Sequence, residues 1–419
     1  MYIAESLIGS FMGKARHLIC GVWHIVVLFS ALVCLPPRVE AQAVEVGVAA
    51  GKALKMDSYL DKMYRQTDCR SYYLGYVFQT TPSQGSPYAA DFGYPTFTFG
   101  LIVADFNDVR IKHPSREGAE ASRLGTSFIL YGNMRRPFFR SRSGWGADYA
   151  LHNGISYNTH PFSWDTNIDN EIIGSPFSIY FGVDFQLSYQ YRQLQFFAGP
   201  EFRHLSNGAL ARPNKGVNKL GVAAGVRYLL RPMNMSDTLC QRIPFVDRGF
   251  YTTISLHTGF MTSVGEWILC QGAGLRGEPL SYDRFKMYVS YGISADVMYR
   301  YSRRFASGIG VDAYCEPYIR KAATLKGPIP ADMSQWSLGV AAKHEVFYER
   351  LSFHLAVGYY ISRPFADYAI AGEEPFYERV GLRYTLPLYN DRIRVGYNIH
   401  AHFTKAYASE LVVDFLLPW

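Results

Sequence analysis

In the run Glu201-Phe202-Arg203-His204-Leu205-Ser206-Asn207-Gly208, a histidine and a serine stand two residues apart. They are the residue types of a general base and a nucleophile. Side chains of an extended chain alternate between faces, so positions i and i+2 share one. If this segment is a strand, His204 and Ser206 lie on a common face, and acyl-ester hydrolysis is the chemistry they suit. On its own the pair decides little, because polar residues also collect where a strand ends near water.

The flanking residues supply the strand. Leu194, Phe196, Ala198, Pro200 and Phe202 form one face, which His204 and Ser206 continue, while Gln195, Glu201 and Arg203 point the other way. Beyond the connection 207–217, Asn218, Leu220, Val222, Ala224, Val226, Tyr228 and Leu230 repeat the apolar face, opposed by Lys219, Gly221, Gly225 and Arg227. Asn218 is thereby expected on the same face as His204 and Ser206, at the adjoining strand end. Asn207, Gly208 and Asn214 are the local candidates for donors to an oxyanion. Arg212, Lys215 and Lys219 are the candidates for meeting a substrate phosphate.

The same alternation recurs along the chain. Phe285, Met287, Val289, Tyr291, Ile293, Val297, Tyr299 and Tyr301 oppose Lys286, Ser290, Gly292, Ser294, Asp296 and Arg300, and Phe353, Leu355, Val357, Tyr359 and Ile361 oppose Ser352, His354, Gly358 and Tyr360. A greasy outside and a charged inside belong to an antiparallel transmembrane β-barrel. The last strand, with Leu411, Val413, Phe415, Leu417 and terminal Trp419, is similar to the closing strand of bacterial outer-membrane barrels. Short turns near 141–146, 191–194, 302–305, 348–352 and 388–392 alternate with long connections near 107–126, 160–175, 264–284, 321–335 and 362–376. This predicts an all-β barrel of about 14 to 16 strands with both termini on the short-turn, periplasmic side. The alternative is a smaller eight-stranded barrel followed by a second β half; residues 231–248 mark the seam.

At the N-terminus, Lys14 and Arg16 precede an apolar run from Cys20 to Leu35 and the small-residue site Ala41-Gln42-Ala43. Residues 1–43 are expected to be a cleaved signal peptide, leaving 44–419 as the barrel. Aromatic residues make up 16% of the 419-residue chain, with 32 Tyr, and charged residues only 18%, a bias that fits a membrane barrel. The net charge of +7 calls for anionic lipid head groups, not nucleic acid, in an exported protein. Cys69, Cys240, Cys270 and Cys315 lie too far apart for a zinc site, and their disulfide pairing is not readable. His400 and His402 fall on the lumen face with Arg392, Arg394 and Asn398, with no third ligand evident. No metal or cofactor is expected.

The run His204-x-Ser206-Asn207-Gly208, followed by Pro213-Asn214-x-Gly216-Val217-Asn218, resembles the signature of the outer-membrane lipid A 3-O-deacylases of the PagL type. It is closer to their longer relatives, the acyloxyacyl hydrolases. The resemblance spans roughly residues 44–232, with Gly93-Tyr94-Pro95 and Asn167 to Ser175 as weaker landmarks and 248–419 as additional strands. It implies a β-barrel esterase that removes an ester-linked acyl chain from lipid A at a site on the barrel exterior. Ser206 would be the nucleophile and His204 its base. The third position falls on Asn218, where the smaller family members carry glutamate. The implied partners are lipopolysaccharide and the outer membrane; a homodimer is left open. Two other classes remain compatible, a pore or transport barrel and a non-catalytic lipopolysaccharide-binding relative.

Overall fold

The computed structural model describes residues 42–419 except 82–84, 117–119, 231–243, 246, 276–285, 323–326, 370–374 and 404. The expected signal peptide, Cys240 and most of the seam therefore lie outside the described residues. Ala43, the residue after which cleavage is expected, is the first residue of the first strand.

Eight strands form the first barrel: β1 Ala43–Ala53, β2 Asp68–Gln79, β3 Thr96–Ile111, β4 Ser122–Arg140, β5 Trp145–Asn158, β6 Phe177–Tyr191, β7 Leu194–Ser206 and β8 Val217–Leu229; a short ninth strand, Tyr64–Gln66, adds to the end of β3. Each pairs antiparallel with its neighbour, and β8 pairs back onto β1, with Asn218's neighbour Lys219 opposite Ala53 and Leu229 opposite Ala43. Eight more follow: β9 Gly249–Thr262, β10 Met287–Arg300, β11 Phe305–Cys315, β12 Trp336–Tyr348, β13 Leu351–Ser362, β14 Phe376–Thr385, β15 Ile393–His402 and β16 Lys405–Pro418. They close separately when β16 pairs with β9. The sixteen barrel strands agree with the upper expected number, and they form two closed eight-stranded barrels, the form of the alternative reading. Closure is what leaves no unpaired backbone edge facing lipid.

Apolar residues dominate the outward faces: Leu220, Val222 and Tyr228 on β8, Tyr291 and Ile293 on β10, and Leu355, Val357, Tyr359 and Ile361 on β13 are all exposed. The last strand behaves likewise, with Val413, Phe415 and Leu417 exposed on its outer face. Aromatic pairs ring the short-turn end, as in Trp145–Tyr189 at 5.0 Å and Phe250–Trp419 at 5.4 Å between centroids. Others ring the opposite end, as in Tyr157–Phe177 and Tyr359–Phe376. Such girdles mark the two membrane interfaces. Two-residue turns at 192–193 and 349–350 open on Arg192 and Glu349 in positive φ, the hand that matches strand twist.

Both interiors are packed with paired charges. In the first barrel Arg135 contacts Asp148 at 2.6 Å and Asp184 at 2.8 Å, and Arg227 contacts Glu45 at 2.5 Å. In the second, Arg379 meets Glu410 at 3.1 Å, Arg383 meets Asp414 at 3.0 Å and Arg394 meets Glu345 at 2.9 Å. His400 and His402 lie inside the second barrel, on Glu410 and on the Tyr360 hydroxyl. Of the cysteines, Cys69 and Cys315 form no disulfide among the described residues.

The barrels stand side by side, joined at both ends. At the short-turn end Arg303 pairs with Asp91 at 3.0 Å, Ser86 bonds Glu349, and Phe97 packs on Tyr348 at 5.3 Å. At the long-loop end Trp267, on the helix Val264–Leu275, packs against Phe162 and Trp164, and Gln271 bonds Glu171.

Buried ion pairs cross-link both lumens among the described residues. Expected outcome: the full-length protein gives no conductance steps in planar bilayers, whereas regular single-channel openings would show that these networks part.

Candidate functional site

His204 sits three positions from the start of the β7–β8 connection and is directly opposite Asn218 in the strand register. Directly opposed residues on one face of an antiparallel pair are in side-chain contact. Here His204 Nδ1 is 2.8 Å from Asn218 Oδ1. A carbonyl oxygen only accepts, so Nδ1 carries the proton and Nε2 is left as the basic nitrogen. Ser206 ends β7 on the same outward face, and all three side chains are half-buried. Polar groups on a lipid-facing strand cost about 2–4 kcal/mol for Lys or Arg at midplane and much less near the interface. Their position at the strand ends is the inexpensive one.

Ser206 Oγ accepts from the Gly208 N–H and from Asn214 Nδ2, each at 3.2 Å. Asn214 is itself oriented, because its Oδ1 accepts from the Asn207 N–H at 3.0 Å. Asn207 spends its side chain on the loop, donating to Ala211 O at 3.1 Å and to Ser175 Oγ at 3.2 Å. Of the three oxyanion candidates, Gly208 and Asn214 thus aim donors at the serine, and Asn207 shapes the loop that carries them. In the present geometry no hydrogen bond joins His204 to Ser206, a gap compatible with catalytic contacts that tighten only around substrate.

Gly216 closes the loop at φ 75° and packs tightly on the imidazole, since a Cβ there would lie 2.9 Å from His204 Cε1. The loop leans on the β5–β6 connection through Lys215 N–H to Glu171 O at 3.1 Å and Gly216 N–H to Ile172 O at 3.0 Å. Within that connection Asn167 donates to Arg123 O, His160 O and Pro161 O, and Asn170 accepts from the N–H groups of Ile172 and Ile173. The segment Asn167 to Ser175 is therefore the support of the site. Gly93-Tyr94-Pro95 lies at the other end of the barrel, as a tight turn with Gly93 and Tyr94 both in positive φ.

The three phosphate candidates part company. Lys219, one residue past Asn218, faces the lumen, where it is 1% exposed and pairs with Glu201 at 2.9 Å and Ser71 at 2.8 Å. Period-two alternation puts it on the wrong side of the sheet for an external phosphate. Arg212 is half-buried against the second barrel, its Nε donating to Thr262 O at 3.1 Å; burial pushes the guanidinium down to about 10, so it stays charged at neutral pH. Lys215 is exposed at the rim, its Nζ 4.3 Å from the Tyr59 ring and 3.9 Å from Glu171. Glu201 also faces inward and is tied to Arg203, Lys219 and Tyr73, so it supplies no carboxylate to His204.

His204, Ser206 and Asn218 open onto a cleft of about 2010 Å³ between the barrels. Leu101, Phe181 and Phe202 are on its first wall, and Val380, Leu382 and Ile399 on its second. The surroundings from β9, β15 and β16 carry no local motif, and only long-range closure brings them here.

The family model described as Lipid A 3-O-deacylase (PagL) matches residues 92–227, and the model described as Acyloxyacyl hydrolase, C-terminal domain, matches residues 257–417. One match falls on each barrel. No curated protein sequence matches the chain. Solved structures with some likeness include the alcaligin outer membrane receptor FauA from Bordetella pertussis, 11% identical, covering 92% of this chain and 77% of that one at a TM-score of 0.24. A mutant porin of Rh. blastica is 8% identical, covering 90% and 100% at 0.15, and the toluene transporter TodX of Pseudomonas putida is 8% identical, covering 92% and 90% at 0.17. Scores this low carry no argument. The two family matches, in tandem over most of the chain, do: it belongs to the PagL lipid A 3-O-deacylase family of acyl hydrolases, in the form that carries the acyloxyacyl hydrolase C-terminal domain.

Proposed function

We propose that the protein is an outer-membrane esterase that removes an ester-linked acyl chain from lipid A, using Ser206 as nucleophile and His204 as base. The observation that carries this reading is the opposed, hydrogen-bonded His204–Asn218 pair, with Ser206 two residues on, opening to an apolar cleft at the long-loop end. In outer-membrane barrels that end faces outward, where lipid A resides.

In the proposed reaction, Ser206 Oγ attacks the ester carbonyl while His204 Nε2 takes its proton. The Gly208 N–H and Asn214 Nδ2, held beside Oγ, donate to the carbonyl oxygen brought there as it becomes negative. His204 returns the proton to the departing ester oxygen, which leaves as an alcohol, and the acyl group stays on Ser206. Water, activated by the same imidazole, then releases the fatty acid and restores the serine. Acyl chains occupy the cleft between the barrels, and Lys215 at the rim meets a phosphate. Asn218 holds the imidazole in the productive tautomer but brings no charge to the imidazolium that forms. Turnover is therefore slower than a carboxylate in the same place would allow.

Lipid A mass spectrometry on cells expressing the protein tests this: the wild type is expected to produce a species lighter by one acyl chain, and Ser206→Ala none. Identical lipid A in the two strains would sink the reading. Asn218→Glu is expected to raise kcat by about tenfold or more, a fraction of the roughly 10⁴ that charge is worth in serine proteases. Gly216→Ala, which pushes a methyl group toward the imidazole, is expected to lower kcat by about 10²-fold, as a misplacement near 1 Å does, with closed-barrel electrophoretic migration retained.

A further inference from the structure

The loop that carries the oxyanion donors is not held by its own barrel alone. Residues 208–212 rest on the outer surface of the second barrel. Ser409 Oγ, on β16, donates to Gly208 O at 2.7 Å, and the Tyr397 hydroxyl, on β15, backs Ser409 at 3.2 Å. Thr262, the last residue of β9, donates to Ala209 O twice, from its N–H and its hydroxyl, each at 2.9 Å. Its own carbonyl accepts from Arg212 Nε at 3.1 Å.

Two features set these contacts apart from ordinary packing. Ser409, Thr262 and Tyr397 belong to the outward, lipid-facing sets of their strands, opposite the lumen residues Glu410, His257 and Asn398. Yet they are 0%, 0% and 9% exposed, because the loop covers them. The loop carbonyls give the Ser409 and Thr262 hydroxyls their acceptors on the lipid-facing side. The loop backbone at the contact also adopts a conformation that the chain does not choose freely: Gly208 has φ 63° and Ala209, which has a side chain, φ 70°. Left-handed backbone at a non-glycine residue persists where its surroundings over-determine it. Here the surroundings are the second barrel. Any Cβ at position 208 would run into Ser409 Oγ, so glycine and serine fit as a pair.

We infer that the second barrel is a positioning element of the active site: Ser409, backed by Tyr397, and Thr262 clamp the carbonyls of Gly208 and Ala209 and so hold the Gly208 N–H on the reacting centre beside Ser206. This rests on the serine-esterase reading above. None of the three touches the reacting atoms. They act through the loop, which fixes where the donor points before substrate arrives, the condition under which an oxyanion donor contributes most. An isolated first barrel would carry His204, Ser206 and Asn218 in register but would leave its donor loop without these supports.

The test uses the full-length protein reconstituted in lipid A-containing vesicles, with kcat and KM measured for wild type, Ser206→Ala, Ser409→Ala, Thr262→Val and Thr262→Ser. Val413→Ala, on the outer face of the same strand as Ser409 and away from the loop, is the control. Removing an oxyanion donor outright costs about 10²–10³ in kcat, so loosening one is expected to cost about tenfold or more in Ser409→Ala and Thr262→Val, with KM within about twofold of wild type. Thr262→Ser, which keeps the hydroxyl, and Val413→Ala retain wild-type kcat. Heat-modifiable migration verifies closed barrels; if Ser409→Ala fails to assemble, the Thr262 pair decides. Wild-type kcat in Thr262→Val overturns the clamp while wild-type turnover lost in Ser206→Ala upholds the underlying reading. No turnover by wild type above Ser206→Ala overturns both.

Discussion

A sheet in hydrocarbon has no tolerable edge, because every backbone N–H and C=O must find its partner within the protein. That constraint explains why β8 returns to β1 and β16 to β9. Closure also divides every strand into a face that touches lipid and a face that does not. Once Leu220 and Val222 face outward, Lys219 must face inward and find Glu201. Asn218 must face outward and find His204. One residue of slip would exchange the two environments entirely.

The interiors and the site solve the problem of buried polarity in opposite ways. Inside, full charges stand in opposed sets such as Arg135 with Asp148 and Asp184, where removing one partner would leave an uncompensated charge at a cost of about 3–5 kcal/mol. Outside, beside lipid, no carboxylate among the described residues stands by the site residues: His204 bonds the Asn218 amide, and Ser206 bonds the Gly208 N–H and the Asn214 amide. A neutral amide opposite the imidazole suits a resting state next to hydrocarbon better than a carboxylate would, at the expense of stabilising the imidazolium.

Strand identity, facing and turn polarity were legible in the sequence because a period of two is a local property: His204, Ser206 and Asn218 could be assigned to one face from their neighbours alone. Closure was less so. Alternation in Leu351–Ser362 or Lys405–Pro418 says which way each side chain points, yet nothing about which strand lies next door, and one large barrel or two smaller ones give the same pattern. The break at 231–248 was the single cue to the division. Lys219 is next to Asn218 in sequence, yet alternation places it inside, where it pairs with Glu201. Ser409, Thr262 and Tyr397 had no signal at all, because their contacts with the loop are long-range, 201 residues apart for Ser409 on Gly208 and 53 for Thr262 on Ala209.

The cleft between the barrels is bridged at one end by Arg303 with Asp91 and at the other by Thr262 with Ala209. Anything reaching His204 along it arrives sideways, in the plane of the bilayer. The quantity that governs encounter is then a two-dimensional one, the mole fraction of the arriving lipid among its neighbours, and the bulk concentration of dispersed material has no direct meaning for it. Lateral diffusion, the fluidity of the surrounding leaflet and competition from ordinary phospholipid become part of the rate law. Two barrels held a fixed distance apart also impose a width on what enters, so the membrane supplies the solvent and the gap supplies the sieve.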